Sequence, residues 1–523
     1  MPTGAEALDE PIRSRRNHWN NQIAVHAQMR PNAVAVRFRG VDTTWRELRD
    51  RSLKFADGLA RRGIGFGDRV LILALNYPEY LEAVVGINAL GAIAVPVNFR
   101  LTPPEVAYIV SDSGATAVVT DTVLRPLATA VQAQAPALAT CVVIGGKSGD
   151  GVTGFDDLLA EAGEPHTPLD IPEDTPSLIM YTSGTTGNPK GAVLTHANMN
   201  AQALTAIRAL TITPDSVGLC TSPLFHIAGI GSFAPAFQLG AKTVLHPLGA
   251  FDAGEFLDVL ERERATSAFC VPAQWQLVCD HPTVRDRALA LEVLSWGAAP
   301  ASDTVLRAMA DCFPNARNVA LFGQTEMSPV TCVLEGKDAI RKIGSVGAPI
   351  PTIQVRIVDE EMNDVAPGEV GEIVYRGPTL MQCYWNKPEE TAEAFAGGWF
   401  HSGDLVRQDE EGFVYVVDRK KDMIISGGEN VYCAEVENVL FAHPKIREAA
   451  VVGRSHQKWG EVPVAVVALH NPDDELTLAE LEPFLNENLA RYKHPKGLVL
   501  VPALPRNASG KVVKVQLRKK YSS

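Results

Sequence analysis

Short apolar runs that alternate with capped helices constrain the fold of this chain more than any other feature. The runs 70–75 and 115–120 are typical of buried strands, and residues 80–90 between them have a helical pattern. Capping boxes, in which a Thr is followed three residues later by a Glu, predict helix starts at Thr44 and Thr102. Because strand and helix alternate, the sequence predicts an α/β fold whose sheets carry helices on their faces.

The residue pattern of the sequence changes near residue 420. A charge cluster, DRKKD, occupies residues 418–422, and two strand-like runs and a third capping box at Thr477 follow it. About a hundred residues are enough for a small α+β domain. We therefore predict a large N-terminal multi-sheet domain over residues 1–420 and a small C-terminal α+β domain over residues 421–523.

Composition excludes several classes of protein. The formal net charge is -13 over 523 residues, which argues against a nucleic-acid partner. The eight cysteines form no CxxC pair, and the N-terminus lacks the apolar region of a signal peptide. We expect a cytoplasmic protein with reduced cysteines. The basic run RSRR at 13–16 leaves a peripheral membrane contact open, and a homodimer is left open as well.

The stretch YTSGTTGNPKG, residues 181–191, lies between two apolar runs and so joins two strands. A P-loop instead leads from a strand into a helix and ends in GK[ST]. The chemistry is nevertheless that of phosphate binding, because glycines let backbone N–H groups approach an anion while hydroxyls and a lysine add donors. The alternative is a flexible surface hairpin. The predicted phosphate-binding residues are Thr182, Ser183, Gly184, Thr185, Thr186, Gly187 and Lys190.

Two further stretches supply what a nucleotide needs besides a phosphate loop. LFGQTE, residues 321–326, offers Phe322 for stacking on a base and Glu326 for Mg²⁺. GWFHSGD, residues 398–404, places Asp404 after a tight turn, where it can accept hydrogen bonds from ribose hydroxyls. Each stretch alone is more often structural, so the prediction depends on their occurring together.

Taken together, five motifs resemble the adenylate-forming superfamily of acyl-CoA synthetases, peptide-synthetase adenylation domains and firefly luciferase. The resemblance covers nearly the whole chain. Two C-terminal stretches, RYKHPK and LPRNASGKVVKVQLR, look most like acyl-CoA ligases, and the whole is similar to the FadD-type fatty-acid CoA ligases of mycobacteria and related actinobacteria. It implies that an acid and Mg-ATP form an acyl-adenylate, which coenzyme A then converts to a thioester. The motifs are YTSGTTGNPKG, FGQTE, WFHSGD, DRKKDMIISGGEN and PRNASGK.

The resemblance also implies residue roles. Thr325 is expected to meet the α-phosphate and Glu326 the Mg²⁺, with Asp404 and Arg419 on the ribose. His226 is expected between the carboxylate and the acyl pocket, although an ordinary core histidine is a serious alternative. The predicted adenine site comprises Gly297, Ala298, Ala299, Phe322, Gly323 and Gln324.

The same resemblance assigns the mobile C-terminal domain. Lys511 looks like the catalytic lysine, whose ammonium bridges the acid and the triphosphate in the first step. Lys421 occupies the hinge position about which the small domain rotates. After rotation, the CoA channel is expected to be lined by Ser426, Gly427, Gly428 and Glu429.

The acyl group is the least determined part of the prediction. The candidate pocket has no acidic residue to bind an amino group, which disfavours an amino acid substrate. Because the predicted lining is apolar, a fatty acid of medium to long chain is preferred. A cinnamate, a benzoate or a steroid side-chain acid is the alternative, and a luciferase-like oxygenase or a non-catalytic nucleotide-binding protein is less favoured. Two glycines are expected to leave room for the acyl chain. The predicted pocket residues are Phe225, Gly229, Ile230, Gly231, Trp275 and Trp296.

Overall fold

The computed structural model describes residues 16–182, 188–299, 301–426, 429–506 and 512–522. The chain divides into two compact units: the first comprises the residues up to Gln354 together with Arg376–Phe395, and the second comprises Val355–Tyr375 with Ala396 and the residues after it. Compactness thus groups residues 396–420 with the smaller unit, whereas the sequence places a domain boundary at 421. The predicted hinge at Lys421 stays a prediction.

A nine-stranded sheet in the first unit is parallel over most of its width. Its strands are β1 Val34–Phe38, β2 Val41–Thr44, β10 Val217–Cys220, β11 Lys242–Leu245, β12 Ser267–Cys270, β13 Val293–Gly297, β14 Arg317–Gly323, β15 Val330–Leu334 and β16 Ala348–Pro349. Their order in space is β16-β15-β14-β13-β12-β10-β11-β1-β2. The parallel strands β13 and β14 end side by side, where Gly297 pairs with Leu321. Ligands of open α/β sheets bind at such carboxyl ends.

An eight-stranded sheet forms the other half of the first unit. Its strands are β3 Arg69–Leu73, β4 Ile93–Pro96, β5 Ala117–Asp121, β6 Thr140–Ile144, β7 Thr153–Gly154, β8 Pro176–Thr182, β9 Lys190–Thr195 and β19 Cys383–Tyr384. Their order is β19-β9-β8-β4-β3-β5-β6-β7. Strands β8 and β9 pair antiparallel, so the stretch 181–191 does join two strands, as predicted.

Two helices of the first unit begin at the caps that the sequence predicts, Thr44 and Thr102. At Thr44 the hydroxyl accepts the Glu47 amide at 3.2 Å while the Glu47 carboxylate accepts the Thr44 amide at 2.8 Å. The helices are α1 Trp19–Met29, α2 Trp45–Ala60, α3 Pro78–Ala89, α4 Pro103–Ser113, α5 Arg125–Gln134, α6 Phe155–Glu161, α7 His196–Leu210, α8 Ile227–Ile230, α9 Phe233–Leu239, α10 Ala253–Glu263, α11 Pro272–Cys279, α12 Asp303–Cys312 and α13 Pro388–Ala394, with 3-10 turns at Val284–Asp286 and Thr325–Met327.

The second unit contains two smaller sheets. One has the order β17-β18-β20-β21, with β17 Gln354–Val358, β18 Gly371–Arg376, β20 Phe400–Gln408 and β21 Val414–Arg419. The other contains β22 Ile424–Ser426, β23 Glu429–Val431, β24 Ile446–His456, β25 Gly460–Leu469 and β26 Gly497–Leu500. The helices are α14 Cys433–Phe441, α15 Leu478–Asn488 and α16 Lys514–Tyr521, with 3-10 turns at Ala396–Gly398 and Arg491–Lys493.

The predicted fold class is confirmed. Residues 70–73 of β3 are completely buried, which explains why this run of the sequence is apolar without alternation. In the second unit, the predicted cap at Thr477 forms with Glu480 at the start of α15. Among the helices described, none combines the length and the apolar character that crossing a membrane requires.

Candidate active site

The carboxylate of Glu326 is the centre of the candidate site in the first unit. It lies in the 3-10 turn Thr325–Met327, directly after β14, and the residue is 8% exposed. Its Oε1 accepts a hydrogen bond from the Thr182 hydroxyl at 3.3 Å and another from the Tyr384 hydroxyl at 3.1 Å. The site therefore joins the end of β14 to the ends of β8 and β19.

Tyr384 is a site residue that the sequence analysis missed. Burial and then the neighbouring Glu326 carboxylate raise the pKa of the Tyr384 phenol, so the hydroxyl keeps its proton and donates. The Lys190 ammonium lies 5.2 Å from the centre of the Tyr384 ring. No local motif announces Tyr384, because it reaches the site through the pairing of β19 with β9.

The ends of the predicted phosphate loop are in place. Thr182 pairs with Lys190 at the ends of β8 and β9, and both are half-buried. The structure thus brings the first hydroxyl and the lysine of the loop to the Glu326 carboxylate and its tyrosine partner. The other predicted phosphate-binding residues lie outside the described residues: Ser183, Gly184, Thr185, Thr186 and Gly187.

The turn that carries Glu326 requires a glycine. A Cβ at Gly323 would stand 1.8 Å from the carbonyl oxygen of Pro329, because the chain folds back there and the Gln324 amide donates to that oxygen at 2.9 Å. Phe322 is half-buried at the end of β14, and Thr325 is half-buried in the turn. The FGQTE motif is therefore a tight connection that presents its side chains at the sheet edge.

The predicted adenine residues lie beside this turn. Gly297 ends β13, and a Cβ there would be 2.2 Å from the carbonyl oxygen of Leu321 on β14. Ala298 follows with a φ of 64°, a left-handed conformation that alanine rarely adopts, and both Ala298 and Ala299 are exposed. An exposed, strained backbone next to Phe322 is suited to contact a flat base.

His226 stands at the start of the short helix α8. Its Nδ1 accepts a hydrogen bond from the Ala228 amide at 3.2 Å. The neutral ring must therefore carry its proton on Nε2. Phe225 is half-buried and packs edge-to-face on Phe99, with ring centres 5.4 Å apart.

The predicted room at two pocket glycines is wrong. A Cβ at Gly229 would lie 2.1 Å from the carbonyl oxygen of Pro223, and one at Gly231 would lie 2.5 Å from that of Ile227. These glycines permit close backbone packing and open no space, because main-chain atoms fill the positions that side chains would take. Ile230 is fully buried beside them.

Two tryptophans predicted for the acyl pocket have structural hydrogen bonds. Trp275 of α11 is completely buried, donates to the Ser295 carbonyl at 3.0 Å and packs on Phe313. This is a core position and not the pocket wall that the sequence predicts. Trp296 is buried on β13 and donates to Oδ1 of Asn318 at 2.7 Å, and its pocket role stays a prediction.

The second unit brings the predicted ribose pair together. Asp404 on β20 pairs with Arg419 on β21, and the Arg419 Nε lies 2.6 Å from Oδ1 of Asp404. The Asp404 amide donates to the Ser402 hydroxyl at 3.0 Å, which braces the turn before the carboxylate. The ion pair with Arg419 fixes the orientation of this almost fully buried carboxylate.

Of the remaining predicted residues of the second unit, the structure describes Lys421, Ser426 and Glu429. Lys421 is exposed directly after β21, and Ser426 pairs with Glu429 across β22 and β23. Gly427, Gly428 and Lys511 lie outside the described residues. Their predicted roles stay predictions.

Comparison with known proteins identifies the family. A family model described as AMP-binding enzyme matches residues 23–385, and one described as AMP-binding enzyme C-terminal domain matches residues 435–511. Feruloyl-CoA synthase of Amycolatopsis sp is 39% identical over 508 residues, or 95% of this chain and 97% of that protein. Indoleacetate–CoA ligase of Aromatoleum aromaticum is 37% identical, covering 94% and 96%. Long-chain-fatty-acid–CoA ligase FadD13 of Mycobacterium tuberculosis is 34% identical, covering 92% and 94%.

Solved structures of CoA synthetases and CoA ligases are also similar to this chain. O-succinylbenzoate CoA synthetase (MenE) of Bacillus subtilis with its acyl-adenylate OSB-AMP has a TM-score of 0.86 at 31% identity, covering 95% of this chain and 98% of that one. The same enzyme with ATP and magnesium has a TM-score of 0.85, covering 95% and 99%. Anthranilate CoA ligase AuaEII with anthranoyl-AMP has a TM-score of 0.87 at 26% identity, covering 96% and 97%.

The predicted resemblance is thereby confirmed. The enzyme is an AMP-forming acid–CoA ligase that uses ATP, Mg²⁺ and coenzyme A, and the chain belongs to the AMP-binding enzyme family.

Proposed function

We propose that this ligase activates an aryl carboxylic acid, of the hydroxycinnamate or arylacetate kind, as its CoA thioester. The names of its relatives carry the proposal. The relatives at 39% and 37% identity are named for ferulate and indoleacetate, whereas the fatty-acid ligase is 34% identical. The aryl alternative of the sequence analysis is thus better supported than the fatty acid that it preferred.

The region around His226 supports a compact, flat substrate. Backbone atoms close the space at Gly229 and Gly231, so these positions offer no path for a long alkyl chain. The half-buried pair of Phe99 and Phe225 presents aromatic rings on which another ring can pack. On the family resemblance, His226 is proposed to lie between the acid carboxylate and the acyl pocket.

Glu326 is the proposed carboxylate for the magnesium of Mg-ATP, and its surroundings fit that role. Among the described residues, both hydrogen bonds to its side chain fall on Oε1, so Oε2 can face a cation. Within the described part of the chain there is no group of three or more His, Cys, Asp or Glu side chains that could hold a metal ion. Bound Mg²⁺ would neutralise phosphate charge, and Lys190 would add a second positive charge.

In the second unit, Asp404 is the proposed acceptor for the ribose hydroxyls. Arg419 binds Oδ1 and so orients the carboxylate, which is the kind of acceptor that ribose hydroxyls require. Lys511 is proposed, on the family resemblance, to bridge the acid and the α-phosphate. A domain that begins at residue 421 and turns about Lys421 would then bring Ser426 and Glu429 to the thioester step.

The test is pyrophosphate release from ATP with a panel of acids, each with and without CoA. The panel contains ferulate, 4-coumarate, indoleacetate, benzoate, octanoate, palmitate and a steroid side-chain acid. We expect CoA-dependent turnover that is highest with an acid that carries an aromatic ring. Preference for palmitate or octanoate would return the assignment to a fatty-acid ligase, and preference for the steroid acid would also contradict the aryl proposal.

A further inference from the structure

We propose that Asp112 is a positioning residue for the Mg-ATP site, because it anchors both chain segments that hold the Glu326 carboxylate. The proposal rests on the proposed role of Glu326 as the magnesium carboxylate. Asp112 lies near the end of α4, outside every motif that the sequence analysis identified. It does not contact Glu326 itself.

The side chain of Asp112 is well suited to act as an anchor. It is 8% exposed, its Oδ2 accepts the Tyr181 hydroxyl at 2.7 Å, and its Oδ1 lies 3.1 Å from the Lys387 ammonium. The Asp112 carbonyl also accepts the Asn386 amide at 3.0 Å. One short piece of helix therefore holds two segments that are distant in sequence.

Each of these segments delivers one donor to Glu326. Tyr181 directly precedes Thr182, whose hydroxyl donates to Oε1 of Glu326. Asn386 and Lys387 follow shortly after Tyr384, whose hydroxyl donates to the same oxygen. Because Tyr181 is adjacent to Thr182 and Asn386 lies two residues after Tyr384, a shift at either anchored residue would displace its donor.

Asp112 also keeps its partners Tyr181 and Lys387 protonated, so that both remain donors. Burial and the Asp112 carboxylate raise the pKa of the Tyr181 phenol, and Asp112 raises the pKa of Lys387, so both partners stay protonated. Replacing Asp112 with Asn keeps the shape but turns one acceptor oxygen into a donating NH₂. The NH₂ group then faces either the Tyr181 hydroxyl, which could no longer donate to residue 112, or the Lys387 ammonium, which it would repel.

A purely structural role would give a different result from a positioning role. If Asp112 only stabilised the fold, its loss would lower the melting temperature and leave the affinity of the folded protein for Mg-ATP unchanged. If it positions Thr182 and Tyr384, Mg-ATP binding must weaken while acid binding does not. Mutation of a residue that orients a metal ligand typically lowers the metal affinity by roughly tenfold to a hundredfold.

The experiment measures Kd for Mg-ATP by calorimetry on the full chain, and separately Kd for ATP in EDTA. The variants are Asp112→Asn, Tyr181→Phe, Lys387→Met and Glu326→Gln. The control is Lys242→Met, since Lys242 has a similarly buried acidic partner, Glu263, at 3.3 Å in the same unit but outside the site. We expect Kd for Mg-ATP to rise about tenfold in Asp112→Asn, with Kd in EDTA and in the control within about twofold of wild type.

The outcomes separate the positioning role of Asp112 from the metal role of Glu326 on which it rests. If Glu326→Gln weakens Mg-ATP binding and folded Asp112→Asn does not, the positioning role is overturned and the metal role stands. If Glu326→Gln has no effect, the metal role fails and the positioning role fails with it. Should Asp112→Asn not fold, Tyr181→Phe and Lys387→Met decide: a weaker Mg-ATP complex in both supports the proposal, and wild-type affinity in both overturns it.

Discussion

The Tyr384 hydroxyl donates to Oε1 of Glu326 at 3.1 Å across 58 residues of sequence. Two residues of β19 create this contact, because Tyr384 pairs with Ala192 and Cys383 with Val193 at the edge of the eight-stranded sheet. The carboxylate thus receives donors from Thr182 on β8 and Tyr384 on β19, the two strands that flank β9 in the sheet. We infer that the orientation of the Glu326 carboxylate depends on these strands more than on the 3-10 turn that carries Glu326.

Removing that donor should weaken the use of Mg-ATP. In Tyr384→Phe we expect KM for Mg-ATP to rise by roughly fivefold, since a hydrogen bond to a charged group contributes on the order of 1 kcal/mol or more. KM for the acid and for CoA should stay near wild type. Steady-state kinetics at varied Mg-ATP measures this, with Tyr415→Phe as control because that hydroxyl donates to the Asp409 carboxylate away from the site. Equal effects in both variants would show that Tyr384 has no special role.

Gly229→Ala tests whether this glycine serves packing or substrate space. A new Cβ 2.1 Å from the Pro223 carbonyl oxygen must displace backbone, so we expect the free energy of unfolding to fall by about 1–3 kcal/mol. Denaturant titration measures the change. Gly65→Ala is the matched control, because no atom lies within 4 Å of a Cβ built there. If Gly229→Ala instead keeps wild-type stability and prefers acids with shorter acyl chains, the prediction that Gly229 leaves room for the acyl chain would be restored.

His196 predicts a pH dependence of stability. Burial, followed by the nearby His18, lowers the pKa of His196 from 6.5 to about 3. A base whose pKa is lower when folded contributes stability that is present above pH 6.5 and is lost as the pH falls toward 3. Glu173 and Asp170 raise the pKa of His18, whose ring centre lies 5.3 Å from that of His196, and so partly oppose the lowering that burial causes there.

The measurement is the free energy of unfolding of wild type and His196→Asn at pH 7, 6, 5 and 4.5. The difference between them should narrow as the pH falls, by at most about 1.4 kcal/mol per pH unit for one proton. A difference that stays constant over this range would mean that His196 does not bind the proton on unfolding.

Lys511→Ala should separate the two half-reactions. The predicted bridge between acid and triphosphate is needed only for adenylate formation, so pyrophosphate release should fall by about a hundredfold or more. Thioester formation from supplied acyl-adenylate should change much less. Rapid-quench measurements of each step, with Lys519→Ala as an exposed neighbouring control, check this. Equal loss in both steps would remove the proposed division of roles.

Local features of the fold were predictable from the sequence. The caps at Thr44, Thr102 and Thr477 form because each pairs a hydroxyl with a carboxylate three residues away, which is visible in any short window. The hairpin from Thr182 to Lys190 was predictable because apolar runs flank it.

The rest depends on contacts that no short window contains. Tyr384 and Asp112 reach the site only through sheet pairing and helix packing. Gly229 is explained by the Pro223 carbonyl that approaches it, and Trp275 by the ring of Phe313 on the following helix. Since a glycine or tryptophan can serve packing or a pocket equally well, composition could not decide between them.

A direct competition between two acids tests the substrate assignment. Ferulate and palmitate at equal concentration are incubated with the enzyme, ATP, Mg²⁺ and a limiting amount of CoA, and both thioesters are quantified by mass spectrometry. The product ratio equals the ratio of the two kcat/KM values at early times. We predict that feruloyl-CoA exceeds palmitoyl-CoA by at least about a hundredfold. An excess of palmitoyl-CoA would contradict the aryl-acid assignment.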